Sequence, residues 1–217
     1  MNADRVPLWP GIALIAAAII NVSAEALVAS AWDVRPYSYI DDYVNFLGSP
    51  FAGEFQGVTI SSPLWFVMSA AWIVSGALIA AASIRLARGS YGWRKGLVIA
   101  FAALQAIGLL LFAVIPLGPA TLAAGLLGAY LTGAFLSVVA GNALAVSAGL
   151  SSRALGISRP IGVAGLVLGA VGLASIPITY GWVPVGLAER ISVYTYLAWA
   201  ILTGIAVIRA RRAAATA

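Results

Sequence analysis

Six stretches of this chain run apolar for about 20 residues or more, the length a helix needs to cross the hydrocarbon core of a bilayer. They lie at about 9–31, 63–87, 97–117, 121–150, 161–179 and 191–208. A chain inside lipid must satisfy its backbone polar groups internally, and helices do so within one segment. Continuous rather than alternating apolar runs therefore predict an all-α polytopic membrane helix bundle. It is expected to form one integral membrane domain over 1–217, with a structured outer loop at 32–62. Composition agrees: 62% of the 217 residues are hydrophobic and 9% charged. The first run is too long for a cleaved leader and is expected to stay in the membrane.

The basic residues set the orientation. Arg5, Arg85, Arg88, Arg94, Lys95, Arg153, Arg159, Arg209, Arg211 and Arg212 fall on one side of the expected membrane, against Arg35 and Arg190 on the other. By the positive-inside rule, the basic side faces the cytoplasm. The protein is therefore expected in the cell membrane, multi-pass, with both termini cytoplasmic. Asp33, Asp41, Asp42, Glu54 and Glu189 all fall outside. The fourth run carries small residues every fourth position, from Gly125 through Ala129, Gly133, Ser137 and Gly141 to Ala145, and the fifth has Gly165 and Gly169. Such spacing lets helix backbones approach closely, so these faces are read as packing.

The chain has no cysteine and no histidine. Its own side chains therefore offer no disulfide, no thiolate nucleophile and none of the usual zinc sites. No metal and no cofactor are expected. The net charge of +5 is not gathered into one patch, so no nucleic-acid partner is expected. The expected partners are the lipid bilayer and a lipophilic small molecule.

Loops as long as 32–62 often serve as lids or binding elements. Ile40, Tyr43, Val44 and Leu47 fall on one stripe opposite Asp41, Asp42 and Asn45. That predicts a short amphipathic helix over 39–47, with Ser38 as N-cap and Gly48 as C-cap. Asp41, Asp42 and Asn45 also resemble a magnesium-diphosphate pattern, since hard cations take oxygen ligands. No second acidic cluster accompanies them, and acids in a helix's first turn are explained by its macrodipole. The macrodipole explanation is adopted.

Glu25 is the acid that no loop or membrane boundary accommodates. It lies seven residues before Trp32, about 10 Å inside the boundary at 1.5 Å per residue. A carboxyl at that depth usually faces a cavity or a partner and marks function. Asn21, one turn deeper, is placed to hydrogen-bond with it. Trp65, Trp72, Tyr130, Tyr194, Tyr196 and Trp199 reach a similar depth on other runs. A buried acid that keeps its proton is a candidate donor, and aromatic faces stabilise a nearby cation. An acid beneath an aromatic-lined apolar pocket suits proton-initiated carbocation chemistry. Interfacial aromatic belts and polar contacts between helices account for the same residues without chemistry.

Several segments carry a resemblance. They are Ala24 to Trp32, Arg35-Pro36-Tyr37-Ser38-Tyr39, Phe46-Leu47-Gly48, Ser62-Pro63-Leu64, Gly141 to Ala145, and Glu189 to Tyr194 with Trp199. In order and nearly end to end, the chain resembles the multi-pass bacterial membrane family DUF998. The resemblance implies six helices, a structured outer loop and no agreed activity. It also implies recurrent positions at Glu25, Tyr37, Ser38, Asn142, Glu189 and Arg190. The chain departs from the family at Trp65, where a His often follows Ser-Pro-Leu. It also lacks the His common before the Gly-Asn stretch. Val44-Asn45-Phe46-Leu47-Gly48 stands where the family tends to read Ile-Ser-Asp-Leu-Gly. These departures make an expected pocket more apolar. Glu189 and Arg190 are read as a cap with a surface ion pair; the alternative is that Arg190 reaches Glu25, Asp41 or Asp42 and fixes the lid.

The expected function is a metal-independent, proton-initiated cyclase of a prenylated terpene or meroterpenoid substrate. Glu25 would be its general acid and Asp42 the acceptor of the terminal proton. Asn21, Trp65, Trp72, Tyr130, Tyr194 and Trp199 would line the substrate, with Tyr37, Ser38, Asp41, Asn142, Glu189 and Arg190 as lid or structural polar groups. The alternatives are a proton-coupled transporter of a small molecule or lipid, and a non-catalytic accessory subunit. Six spans are few for a transporter, a shortage that a homo-oligomer remedies.

Overall fold

A computed structural model describes residues 7–55, 57–88, 92–178 and 183–215; Arg5 and Thr179 lie outside the described residues. The long helices are α1 (Trp9–Ser30), α2 (Trp65–Ala87), α3 (Trp93–Val114), α5 (Leu127–Leu150), α6 (Arg159–Ile178) and α7 (Val185–Ala215), with a short α4 (Pro119–Ala123). Six helices are long and apolar enough to cross a membrane. The protein is an all-α, multi-pass membrane bundle.

Local chemistry sets the ends. Pro10 opens α1, where a missing N–H costs nothing. Gly92 precedes α3 at φ 70°, a backbone region that glycine enters without a Cβ clash. The run expected at 121–150 is broken: α4 ends at Ala123, Gly125 turns the chain at φ 69°, and α5 starts at Leu127. Gly125 is therefore a turn residue rather than the first rung of the small-residue ladder. The last helix begins at Val185, before the expected 191. Glu189 and Arg190 thus lie inside α7 rather than at its mouth.

The six long helices close into a ring: α1 packs on α2, α2 on α3, α3 on α5, α5 on α6, α6 on α7, and α7 back on α1. A further contact between α5 and α7 crosses the ring and leaves α6 on its flank. Lipid exerts no hydrophobic force between helices, so close backbone approach and polar contacts must hold them. A Cβ on Gly11 would stand 2.8 Å from the Gly204 carbonyl, and one on Gly133 2.9 Å from the Phe112 nitrogen. The ring's outer surface carries exposed Ile12, Ile19, Phe66, Leu131, Phe135 and Val167, while Asn21, Glu25, Gln105 and Asn142 are buried.

Residues 31–55 and 57–62 cover one end of the ring, here the loop end. The expected helix over 39–47 is not formed. Asp41 N–H donates to Ser38 Oγ, so Ser38 caps a single turn; a short 3-10 helix then runs from Val44 to Gly48. Gly48 caps nothing, and instead leaves room for the Trp72 ring, into which a Cβ at that position would be driven. A hairpin of β1 (Gly53–Phe55) and β2 (Val58–Ile60) pairs Glu54 with Thr59. Val44, Phe46, Leu47, Phe55 and Ile60 bury against Trp72, Phe112 and Tyr130.

Candidate functional site

Arg190 projects from the second turn of α7 and organises the loop end. Its Nε donates to Glu25 Oε1 at 2.8 Å, and the two side chains are 5% and 1% exposed. Nη1 donates to the carbonyls of Tyr39 at 2.6 Å, Asp42 at 2.9 Å and Gly186 at 3.1 Å. Nη2 donates to Tyr37 Oη at 2.6 Å. The Tyr37 and Tyr39 rings cover the guanidinium, with centroids 5.3 and 4.8 Å away. The reading of Glu189 and Arg190 as a surface cap is therefore corrected. Arg190 is buried and joins Glu25 to the loop, as the alternative foresaw.

The first turns of α7 carry N–H groups without helical partners, and the loop supplies one. Leu187 N–H donates to the Ile40 carbonyl at 2.9 Å. Glu189 works in the opposite sense, its Oε2 accepting from Val44 N–H at 2.6 Å. A Cβ on Gly186 would stand 2.8 Å from the Ile40 carbonyl, so glycine lets the loop approach. Asp42 is clamped by Arg35 through two bonds of 2.5 and 2.7 Å and accepts Ser38 N–H at 2.8 Å. Asp41 is exposed and accepts from Ser38 Oγ at 2.7 Å.

Glu25 Oε2 accepts from Tyr194 Oη at 2.9 Å. Asn21 does not take the place expected for it: both polar atoms of its buried amide lack a hydrogen-bond partner. The collected aromatics separate as well. Trp72 and Tyr130 flank Phe112, at centroid distances of 4.5 and 5.5 Å, and Tyr130 Oη accepts from Asn45. With Glu189 and Tyr196, Trp72 and Phe112 line a small cavity of about 30 Å³, the room of a water molecule. Trp199 lies farther along α7, beside Gly165, and Trp65 opens α2. Tyr194 alone of this set is bonded to Glu25. Asn142 donates to the Ser192 carbonyl at 2.7 Å and accepts from Thr195 Oγ1 at 2.9 Å, tying α5 to α7.

A larger space opens on the flank of the ring. Between α6 and α7 lies a groove of about 430 Å³ bounded by Leu168, Leu187, Ile191, Tyr194 and Ala198, with Tyr39 and Ile40 above. Arg190 and Thr195 also border it. Glu25 does not; it stands behind Tyr194. The volume falls in the range of small-molecule sites.

The family model for a protein of unknown function, DUF998, matches residues 13–206. The chain belongs to the DUF998 family. No curated protein and no solved structure gives a significant match. In this DUF998 protein, Glu25, Tyr37, Ser38, Asp42, Glu189 and Arg190 meet at the loop end, whereas Asn142 serves the packing of α5, α6 and α7. Among the described residues no group of acids could hold a metal ion.

Sequence reasoning missed the groove-lining residues, because Leu168, Ile191 and Ala198 look like any lipid-facing positions. It missed Thr195 for the same reason. Arg35 had a usable signal: one of two basic residues on the acidic side, seven positions before Asp42.

Burial pushes the Asp42 carboxyl up, but the Arg35 hydrogen bond, the Ser38 N–H and the charges of Arg35 and Arg190 outweigh it and hold it below the usual range. A carboxyl depressed in the folded state stabilises fully above its unfolded value of about 3.9 and loses that contribution as pH falls through the folded value. The share of the protease protection of residues 33–46 in detergent that depends on Asp42 is therefore expected to be constant from about pH 7 to 5 and to fall below about pH 4. Asp42→Asn is expected to lower protection equally across that range. A difference between wild type and Asp42→Asn that changes between pH 7 and 5 would contradict the clamp.

Proposed function

We propose that this protein takes a lipophilic small molecule from the bilayer into the groove between α6 and α7. The observation that carries the reading is the groove itself. It is apolar, open toward the side of the bundle, and backed by a buried polar node of Arg190, Glu25 and Tyr194. Binding energy would come from the chain of the ligand, at about 25 cal/mol per Å² buried. The polar node fixes the loop over the site and gives the ligand a defined end. The distribution of basic residues supports a cell-membrane location with the loop end outside and both termini cytoplasmic.

Acid-initiated cyclisation by Glu25 fits this geometry less well. Both of its carboxyl oxygens are engaged, by Arg190 and Tyr194, and it does not line the groove. A proton from Glu25 would reach the groove through the Tyr194 hydroxyl. Substrate cyclisation is therefore a second reading, with Tyr194 as the group nearest the substrate. Asp42 is a poor acceptor for a terminal proton, since Arg35 and Ser38 already occupy its carboxylate.

The test is to purify the protein within its native lipid and compare the extracted lipophiles with those of the bulk membrane. A species enriched with wild type and lost from Ala198→Trp, at an unchanged unfolding temperature, is the expected result. No enriched species, or equal enrichment in the filled variant, would sink the proposal.

A further inference from the structure

At the end of the ring opposite the loop, the connection between α5 and α6 is anchored by its apolar side chains. Leu155 and Ile157 are buried in one cluster with Leu86 and Ala87 at the end of α2 and Val98 near the start of α3. Arg153, in the same connection, is exposed. From the first turn of α3, Arg94 Nη1 donates to the Leu150 carbonyl at the end of α5, at 3.3 Å. A Cβ on Gly162 would stand 2.6 Å from the Ser152 side chain, so the start of α6, with Arg159, lies beside the same connection. The fold thus brings Arg94, Lys95, Arg153 and Arg159, from three segments of the chain, to one corner. Lys95 is half-buried and the three arginines are exposed.

No counter-ion in the chain accounts for these four charges. There is no acidic residue between Glu54 and Glu189, and neither salt bridge among the described residues involves any of the four. Arg94, Lys95 and Arg159 stand in the first turns of α3 and α6, where a cation opposes the helix macrodipole. The positive-inside rule sets the side of the membrane they occupy, not their convergence on one corner. Apolar surface adjoins them. Trp93 is 67% and Leu150 50% exposed, and the Trp93 ring centroid lies 5.5 Å from the Arg94 guanidinium. Tryptophan favours the level of the lipid headgroups. A soluble acidic partner would satisfy the charges and leave that apolar surface bare, whereas a lipid meets both. We propose that this corner binds an anionic phospholipid, its phosphate against Arg94, Lys95, Arg153 and Arg159 and its acyl chains beside Trp93 and Leu150. Arginine matches phosphate oxygens with paired N–H donors, and each cation near an anionic membrane surface contributes about fivefold in affinity.

The experiment uses the full chain in a neutral detergent, with binding read by native mass spectrometry. The probes are phosphatidylglycerol and phosphatidylcholine with identical acyl chains, and glycerol phosphate, which carries the anion without the chains. Wild type is expected to bind phosphatidylglycerol about tenfold tighter than phosphatidylcholine, and to bind no glycerol phosphate at the same concentrations. Joint replacement Arg94→Gln, Lys95→Gln and Arg153→Gln is expected to shrink the preference to about twofold or less. Removing three charges from the end of α7 instead, by Arg209→Gln, Arg211→Gln and Arg212→Gln, should leave most of it. Arg153→Gln alone, at an exposed position, should cut the preference about threefold, and it decides the case if the triple variant does not fold. Equal affinity of wild type for the two lipids would overturn the proposal. Equal losses in the two triple variants would overturn it as well, by spreading the effect over the whole basic end. Glycerol phosphate bound as tightly as phosphatidylglycerol would replace the lipid with a free anion.

Discussion

Glu25→Leu is expected to destabilise the protein by roughly 3–5 kcal/mol, because it leaves Arg190 as a buried charge without its counter-ion. The carbonyls of Tyr39, Asp42 and Gly186 orient the guanidinium but carry no neutralising charge. The loop should loosen with the pair, since Tyr37, Tyr39 and Asp42 all meet Arg190. Glu25→Leu combined with Arg190→Met is expected to recover a large part of the loss, as replacement of both partners by apolar groups removes the stranded charge. The measurement is the unfolding midpoint of the four proteins in one detergent, together with protease access to residues 33–46. Glu25→Gln should fall between wild type and Glu25→Leu, because its amide oxygen still accepts from Arg190, whereas its NH2 group stands where Tyr194 found an acceptor and the counter-charge is lost. A Glu25→Leu protein as stable as wild type would show that the pair does not hold the loop end together. A double variant no better than Glu25→Leu would show that the cost lies in something other than the stranded charge.

The bundle was legible in the sequence because a bilayer imposes a length and a polarity that few side chains satisfy by accident. Glu25 was legible for the same reason. Its partner was harder to see. Glu189 and Arg190 interrupt the apolar run, and a hydropathy reading places a boundary there, so the helix was expected to begin at 191. Burial of Arg190 is tolerable because Glu25 neutralises it, a fact about two helices that neither states alone. The loop misled in a different way. The stripe of Ile40, Tyr43, Val44 and Leu47 has helical spacing. However, Val44 N–H goes to Glu189, Asp42 to Arg35 and Asn45 to Tyr130, and these tertiary bonds outweigh a marginal short helix. For the aromatics, counting from a membrane boundary gave depth along the bilayer normal but no direction around each helix axis. Trp72 and Tyr130 therefore face neighbours other than Glu25, and Trp199 lies more than a turn deeper along α7 than Tyr194.

The second large effect concerns a residue that sequence reading passed over. The spacing of Gly165 and Gly169 marked a packing face on α6, and the structure extends that face to Gly172. A Cβ there would be driven into the Asn142 side chain and the Thr195 hydroxyl. Neither neighbour can retreat freely. Asn142 is fully buried and bonded to Val138, Ser192 and Thr195. Gly172→Ala is therefore expected to push α6 away or to break the Asn142 bonds. Overpacking and unmet buried polar groups together cost about 2–5 kcal/mol. Gly96→Ala is the matched comparison, since a Cβ on Gly96 in α3 would meet nothing within 4 Å. It should leave stability unchanged or raise it by up to about 1 kcal/mol through helix propensity. Unfolding midpoints of the two variants decide the matter, and equal midpoints would refute the close approach of α6. The consequence reaches the groove, because Thr195 borders it and α6 forms one wall. Gly172→Ala should lose the retained lipophile even where enough folded protein survives to be assayed, whereas Gly96→Ala should keep it.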